Sequence, residues 1–512
     1  MSATVSAQPL PTVEVLGSTE AEPSKKLQRH GSDIPSSLSS EKAAGAEIEV
    51  SLEDIEDPKE MSPLRRWAAV FVISSAALCV TAASSMASFT ISDGLEPDYH
   101  INYEAGISSV SLYAGGLAIG PLFLGPLSEF FGRNGIYTAS HTAFLLLNFP
   151  VAFANNAPVH LIFRFLTGFV GSAFLSVGGA SMGDMFPNET VANPMAIYTV
   201  SPLIGPVFGT SISGFINQHL DWRWTYYILI IWCVFELALL VLFVPETYVP
   251  YLLTMKARRL RRDTGDTRYF APLEKSSHKI LRTIQISCVK PFSMMLYEPM
   301  LLLVDIWQVH SWMALILGIV YLTFAVFPVI FGGVYHFNVQ MTGLSFLGIG
   351  IGMIFATASQ PVWNAINRRE TKKYNGMPPP EVRLYPGMVG GLLIPLGLFW
   401  FAFTIYPSVH WIVPIVGSAP FGTGFILCAS TVFTFIVSTY REHSASGMAS
   451  NAFLRSMFCV AFPLIARPMF KRLGNVGAMA LLAGLTLCMA PLPYVSFFMA
   501  AFSHSHPKSR IV

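Results

Sequence analysis

Apolar and polar residues alternate along this chain in long blocks rather than in short strand-like or helix-like periods. Twelve stretches are predominantly apolar and about as long as the roughly 20 residues of helix that cross a 30 Å hydrocarbon core. The first six fall at about 67–89, 107–127, 135–154, 160–182, 194–216 and 225–245. A polar stretch then runs from about 246 to 298. The second six fall at about 305–332, 342–363, 387–405, 411–437, 446–466 and 476–502. The pattern predicts an all-α polytopic membrane protein with two sets of six spans. Its expected divisions are a disordered cytoplasmic tail over 1–62, a six-helix bundle over 63–248 and a cytoplasmic central loop over 249–298. A second bundle over 299–502 and a short cytoplasmic tail over 503–512 follow. The seventh span is irregular, because Asp305, Gln308, His310 and two Trp interrupt the apolar run from Met300 to Phe327. A local insertion around Ile306–Trp312, or a longer helix with a wet end, would accommodate them.

The segments between the spans set the orientation. The central stretch carries Lys256, Arg258, Arg259, Arg261, Arg262, Arg268, Lys275, Lys279, Arg282 and Lys290. The loop after the eighth span carries Arg368, Arg369, Lys372, Lys373 and Arg383, whereas the first loop is acidic, with Asp93, Glu96, Asp98 and Glu104. Lys and Arg in short loops stay on the cytoplasmic side. Both termini and the central loop are therefore expected in the cytoplasm. Arg467, Lys471 and Arg472 run against the rule, since the same count places them outside. No cleavable signal peptide precedes the first apolar segment, so that segment is expected to serve as the targeting signal.

Composition sharpens the picture. Of 512 residues, 53% are hydrophobic and only 12% charged, and the mean hydropathy is +0.52. A soluble domain carries about 25% charged residues, so lipid must replace water over much of this surface. The first 60 or so residues differ. Runs such as Ser36–Ser40 and Glu53–Asp57 cannot bury enough surface to fold. The net charge of +2 carries no nucleic-acid signal, and no nucleic-acid partner is expected. Six scattered cysteines without a CxxC pair suggest neither a disulfide framework nor a metal site, and no cofactor is expected. No GxxxxGK[ST] loop is present, which argues against a pump that hydrolyses ATP within one chain. No HExxH or DDxxD run supports a membrane enzyme. Asn188-Glu189-Thr190 forms a glycosylation sequon, but the topology places it in the cytoplasm.

Several residues carry more specific chemistry. Spans two and three are joined by Gly125-Pro126-Leu127-Ser128-Glu129-Phe130-Phe131-Gly132-Arg133. Its small residues allow two helix ends to approach closely, and Glu129 and Arg133 can pair with charges or helix ends. Such a turn can latch one state of a rocking protein. Arg164 lies inside the fourth span, ahead of Gly168, where a buried cation is expensive and usually functional. The fifth span runs Ser201-Pro202-Leu203-Ile204-Gly205-Pro206-Val207-Phe208-Gly209-Thr210-Ser211-Ile212-Ser213-Gly214. Gly205 and Gly209 suit close packing, and Pro206 favours a bend. Glu236 sits mid-span between Phe235 and Leu237, a candidate proton carrier or counter-ion. Asp305 is a second such candidate, and Arg455 in the eleventh span a candidate for pairing or for lining a cavity.

These motifs resemble the major facilitator superfamily, and within it the fungal twelve-span drug:proton antiporter branch. The second-to-third-span turn is similar to the signature G-x-L-a-D-x-x-G-R in its Glu form, with Asn134 in place of the usual basic residue. Arg164 with Gly168 resembles the R-x-x-x-G motif implicated in proton coupling, and Gly178, Gly179 and Asp184 follow as in that family. The fifth span resembles G-P-x-x-G-P-x-x-G-G, with Thr210 and Ser213 as departures. Trp222-Arg223-Trp224, Pro245-Glu246-Thr247-Tyr248, Asn451-Ala452-Phe453-Leu454-Arg455-Ser456 and Pro491-Leu492-Pro493-Tyr494 extend the likeness over about residues 65–510. The resemblance implies two six-helix bundles rocking about a midplane cavity and a monomeric plasma-membrane protein. Its implied function is proton-driven export of a small organic molecule such as a drug, toxin or secondary metabolite. A polyamine or organic-cation transporter, or a nutrient transporter, is the alternative; a cationic cargo wants a carboxylate, such as Glu236 or Asp305, in the cavity.

Overall fold

A computed structural model describes residues 48–51, 57–187, 190–275, 300–373, 384–439, 444–491 and 493–495. At 93, 192, 300–310, 435–439 and 444–450 it describes the backbone alone. Residues 1–47, most of the expected disordered tail, lie outside these, as do Asn188, the second part of the central loop and the C-terminal tail.

The first half begins with α1 (Pro63–Met86), where Pro63 follows Ser62 at the helix start, a position that needs no N–H. After an irregular turn, α2 (Tyr103–Phe131) starts at Asn102, whose side chain accepts the Ala105 N–H. It stops at Gly132, whose φ of +80° favours glycine, and α3 (Arg133–Ala152) follows at once. The fourth span divides at Ser172 into α4 (Ala157–Gly171) and α5 (Ala173–Met185). Then come α6 (Ala192–His219) and α7 (Trp224–Phe243). The expected central loop opens with a helix, α8 (Val249–Thr264), ended by Gly265 at φ +69°. Val50, inside the region expected to be a disordered tail, is buried against Ala257 and Ala271 and donates its N–H to Phe270 O. Pro58–Glu60 also forms a helical turn, capped by Asp57. The apolar Val50 finds a partner in the first part of the central segment, which composition alone did not reveal.

The second half contains α9 (Met300–Phe327), α10 (Val339–Ser345), α11 (Leu347–Ala358), α12 (Gln360–Lys373), α13 (Tyr385–Phe403), α14 (Ile412–Thr439) and α15 (Ser444–Met489). The seventh span is one unbroken helix over Met300–Phe327, so the longer-helix alternative describes it and no inserted loop is present. Helix α15 contains a break at Gly474, which separates spans eleven and twelve. Among the described residues, ten helices are long and apolar enough to cross a membrane. Helix α3 supplies another span and the break at Gly474 divides the last, so the described helices reach the twelve read from the hydropathy blocks.

Glycines set the helix spacing. A methyl group on Gly168 would lie 2.2 Å from Tyr113 O, and one on Gly116 2.3 Å from Phe165 O, so α2 and α4 touch backbone to backbone. Gly205 and Gly209 do the same for α6 against α1. Their added Cβ atoms would meet Thr81 Oγ1 at 2.0 Å and Ala82 O at 2.3 Å. Gly214, one turn further along α6, faces the other half instead, with its Cβ position 3.0 Å from Gly343 Cα. Ser211 Oγ donates to Gly343 O at 3.1 Å, and His219 Nε2 meets Gln340 Oε1 at 3.0 Å. Across from these contacts, the Arg467 guanidinium lies 3.4 Å from the centre of the Tyr103 ring. The two halves are thus joined at the end that carries the acidic first loop.

Candidate functional site

The turn between α2 and α3 is a charged cage. Arg133 is buried although it is a cation. Its Nε donates to Asp184 Oδ2 at 3.1 Å, its Nη1 to Ser128 Oγ at 2.6 Å, and its guanidinium lies 4.5 Å from the Tyr248 ring centre. Glu246 closes the cage from the chain beyond α7. Its carboxylate accepts the backbone N–H groups of Arg133 (2.9 Å), Asn134 (3.2 Å), Thr247 (2.9 Å) and Tyr248 (2.9 Å). An anion at the start of α3 is favoured by the unpaired N–H groups and by the helix dipole. Only glycine fits at 132, because a Cβ there would stand 2.2 Å from Glu246 Oε2. Gly125 and Leu127 lie on the last turns of α2. Glu129 is exposed and makes no hydrogen bond or ion pair among the described residues. Arg133 thus holds Asp184 and Ser128, while Glu129 stands within electrostatic range of Arg133 without an ion pair among the described residues. Asp184 and Glu246 were visible in the sequence only as parts of longer motifs, and neither was read as a partner of this turn.

Arg164 occupies the middle of the first bundle and is fully buried, so it does not reach an interface. Its Nε donates to Ser109 O at 3.3 Å, and its Nη2 lies 3.1 Å from Ala83 O and 3.4 Å from Ser84 O. Tyr113 and Tyr226 offer ring faces at 4.3 and 6.0 Å. A mid-membrane Arg costs about 2.5–3.5 kcal/mol on insertion scales. Carbonyl acceptors at about 1.5–3 kcal/mol each and a desolvated cation–π contact of about 2 kcal/mol offset that cost. Nη1 has no partner. One turn earlier His160 contacts Ser109 Oγ (3.1 Å), with Tyr226 OH at 3.5 Å, so α4 carries a continuous polar column.

Glu236 is buried on α7. Ser75 Oγ donates to its Oε1 at 2.5 Å and Trp232 Nε1 at 3.1 Å, leaving Oε2 without a partner. Glu236 and Arg164 do not form an ion pair. Both bind α1, Glu236 through Ser75 and Arg164 through the Ala83 and Ser84 carbonyls, two turns or more apart. Arg455 sits on α15 in the second half, facing the Phe433 ring at 5.3 Å, with Nε and Nη1 unpartnered. Between the two arginines lies Tyr321 of α9, which reaches Ser84 Oγ at 2.9 Å and stands within electrostatic range of both guanidinium groups. Asp305 falls on the α9 backbone, and its side chain lies outside the described residues. Tyr321 is sixteen residues further on, about 24 Å at 1.5 Å per residue. An open apolar groove lined by Ile101, Leu112, Leu161, Ile162 and Phe165 faces outward, away from this chemistry.

Helices in two sets of six, with the buried Arg164 and the half-buried Arg455 on either side of a tyrosine that bridges the halves, form the architecture of a secondary membrane transporter. Comparison with known proteins makes the assignment specific. Residues 73–463 match the Major Facilitator Superfamily. Efflux pump atB of Aspergillus terreus is 44% identical over 398 residues, covering 77% of this chain and 83% of that protein. The probable drug/proton antiporter YHK8 of Saccharomyces cerevisiae is 36% identical over 481 residues, covering 90% and 92%. The solved structure of the human organic anion transporter MFSD10 superposes with a TM-score of 0.60 over 85% of this chain and all of that one; at 15% identity the likeness is one of fold. The chain belongs to the major facilitator superfamily.

Proposed function

We propose that this protein is a proton-coupled exporter of small organic molecules, with its termini and central segment in the cytoplasm. The observation that carries the reading is a pair of opposite charges, Arg164 of α4 and Glu236 of α7, buried in the same bundle and each bonded to α1 without forming an ion pair with the other. A carboxylate held by only two donors can take up a proton where water reaches it. A cation fixed to α1 carbonyls biases that equilibrium as the halves move. The likeness to a drug/proton antiporter and an efflux pump supports export, and the concentration of Lys and Arg in 256–290 and 368–383 supports the orientation.

Proteoliposomes with an imposed pH gradient test the reading. Arg164→Ala is expected to abolish gradient-driven accumulation, and Glu236→Gln to flatten its pH dependence. A Glu236→Gln variant with the wild-type profile moves the carrier elsewhere, with Asp305 next. External proteolysis within 256–290 of intact cells would overturn the orientation.

A further inference from the structure

Native proteins leave few buried polar atoms without a hydrogen bond, and where several gather on one face the missing partner is informative. Helix α15 carries such a group. Asn451 is fully buried, and neither its Nδ2 nor its Oδ1 has a partner. Arg455 follows one helical turn later, so the two side chains are neighbours on one face. Its Nε and Nη1 are also without partners. Burying a guanidinium costs several kcal/mol unless it is paired. Elsewhere the protein comes closer to meeting that demand, giving Arg133 a carboxylate and Arg164 three carbonyls with one nitrogen, Nη1, left over. At Arg455 no carboxylate stands within ion-pair distance among the described residues. Glu236 is committed to Ser75 and Trp232.

The surroundings are aromatic. Phe433 of α14 faces the guanidinium. Tyr321 of α9 and Tyr198 of α6 stand within electrostatic reach of Arg455, and Tyr198 belongs to the opposite half. The orphaned atoms therefore lie where the halves meet.

We propose that Asn451 and Arg455 form the recognition site for an organic carboxylate, and that the cargo of the exporter is an organic acid in its anionic form. This rests on the exporter reading and specifies its substrate class. The guanidinium fork matches a carboxylate with two parallel hydrogen bonds. Asn451 Nδ2 adds a further donor, and Oδ1 accepts a hydroxyl or N–H close to the carboxylate. Phe433, Tyr321 and Tyr198 are the aromatic side chains around Arg455 on which a flat apolar body would pack. An organic cation meets instead the Arg455 guanidinium, with no carboxylate within ion-pair distance of it among the described residues.

The test is equilibrium binding to the full chain in lipid nanodiscs, without any gradient. Three probes share one ring system and differ in charge: 1-naphthoate, 1-naphthamide and 1-naphthylmethylamine. Naphthoate is expected to bind at least tenfold more tightly than the other two. Arg455→Gln is expected to remove that preference while leaving naphthamide binding in place. Asn451→Asp, which gives Arg455 an internal carboxylate, is also expected to remove it, because the paired guanidinium is neutralised. A wild-type protein that shows no preference for the carboxylate overturns the proposal. So does an Arg455→Gln or Asn451→Asp variant that binds naphthamide normally and still prefers naphthoate. If a variant binds none of the probes, the wild-type ranking alone decides, and Arg455→Lys, which keeps the charge without the fork, is expected to show a reduced preference. Carboxylate binding without gradient-driven flux would refute the exporter reading and leave this site standing. Gradient-driven flux of amines alone would do the opposite.

Discussion

Glu246 is the residue whose replacement tests the charged turn most directly. Its two oxygens accept four backbone N–H groups, three on Oε1 and one on Oε2. In Glu246→Gln the amide oxygen can keep the three bonds to Oε1, now without charge assistance. A hydrogen bond to a charged group is worth about 1.5–3 kcal/mol and a neutral one about 0.5–1.5, so each kept bond weakens by about 1 kcal/mol. The fourth is lost outright, because the new NH2 group faces the Asn134 N–H. Loss of an anion at the start of α3 removes a further 0.3–1 kcal/mol or so. The sum is about 5–7 kcal/mol in dry surroundings; with Glu246 partly exposed, roughly a third survives solvent screening. About 2 kcal/mol is a thirtyfold change in an equilibrium constant, enough to shift the balance between two transporter states. The assay pairs thermal unfolding in nanodiscs with proteoliposome flux. The expected result is a lowered melting temperature together with reduced flux. If neither changes at equal expression, Glu246 does not hold this turn and the reasoning fails.

Other expectations follow from the same geometry. Gly209→Val places a branched side chain where a single Cβ already stands 2.3 Å from Ala82 O. It should separate α6 from α1 and cut the yield of folded protein, and a normal melting temperature would contradict that packing. Gly214→Leu should wedge the halves apart at Gly343 and expose Gln340→Cys to a membrane-impermeant thiol reagent; unchanged labelling would argue against this contact. Arg133→Ala should lower both stability and flux, because it leaves Asp184 without its ion-pair partner. Glu129→Gln should lower flux with little effect on stability, since Glu129 makes no bond in this state. Equal flux in Glu129→Gln and wild type would remove Glu129 from the latch.

The spans were legible because a bilayer imposes one length scale, and a run of apolar residues either meets it or does not. Helix α1 was read as 67–89 and spans Pro63–Met86; α3 was read as 135–154 and spans Arg133–Ala152. Isolated charges in apolar runs were legible for the same reason, and Arg164 and Glu236 are indeed buried. Partners were not. Glu246 is 113 residues from the N–H it caps, and Ser75 is 161 residues from Glu236. A serine in an apolar span carries no signal of its own, because its hydroxyl can always bond back to its own helix. Glu129 and Arg133 were read as able to pair with charges or helix ends, without the sequence saying which. The intervening Gly132, with its positive φ, turns the chain, and Arg133 begins a different helix.

Helix α1 has one more consequence, and it is mechanical. Near its end the hydroxyls of Thr81, Ser84, Ser85, Ser88 and Thr90 each donate to a carbonyl three or four residues back. They compete with the backbone N–H groups for the same acceptors, which loosens and bends a helix. The helix then passes into a tight 3₁₀ turn over Ala87–Thr90 and a wide π turn over Ile91–Leu95. Ahead of this region, Ala69, Val70, Ile73, Ala76 and Ala77 are all buried. The element that bonds to Glu236, Arg164 and Tyr321 is therefore a stiff shaft with a compliant tip. If α1 yields where it approaches the first loop, amide hydrogens of 84–95 should exchange faster than those of 69–80, and equal exchange would refute it.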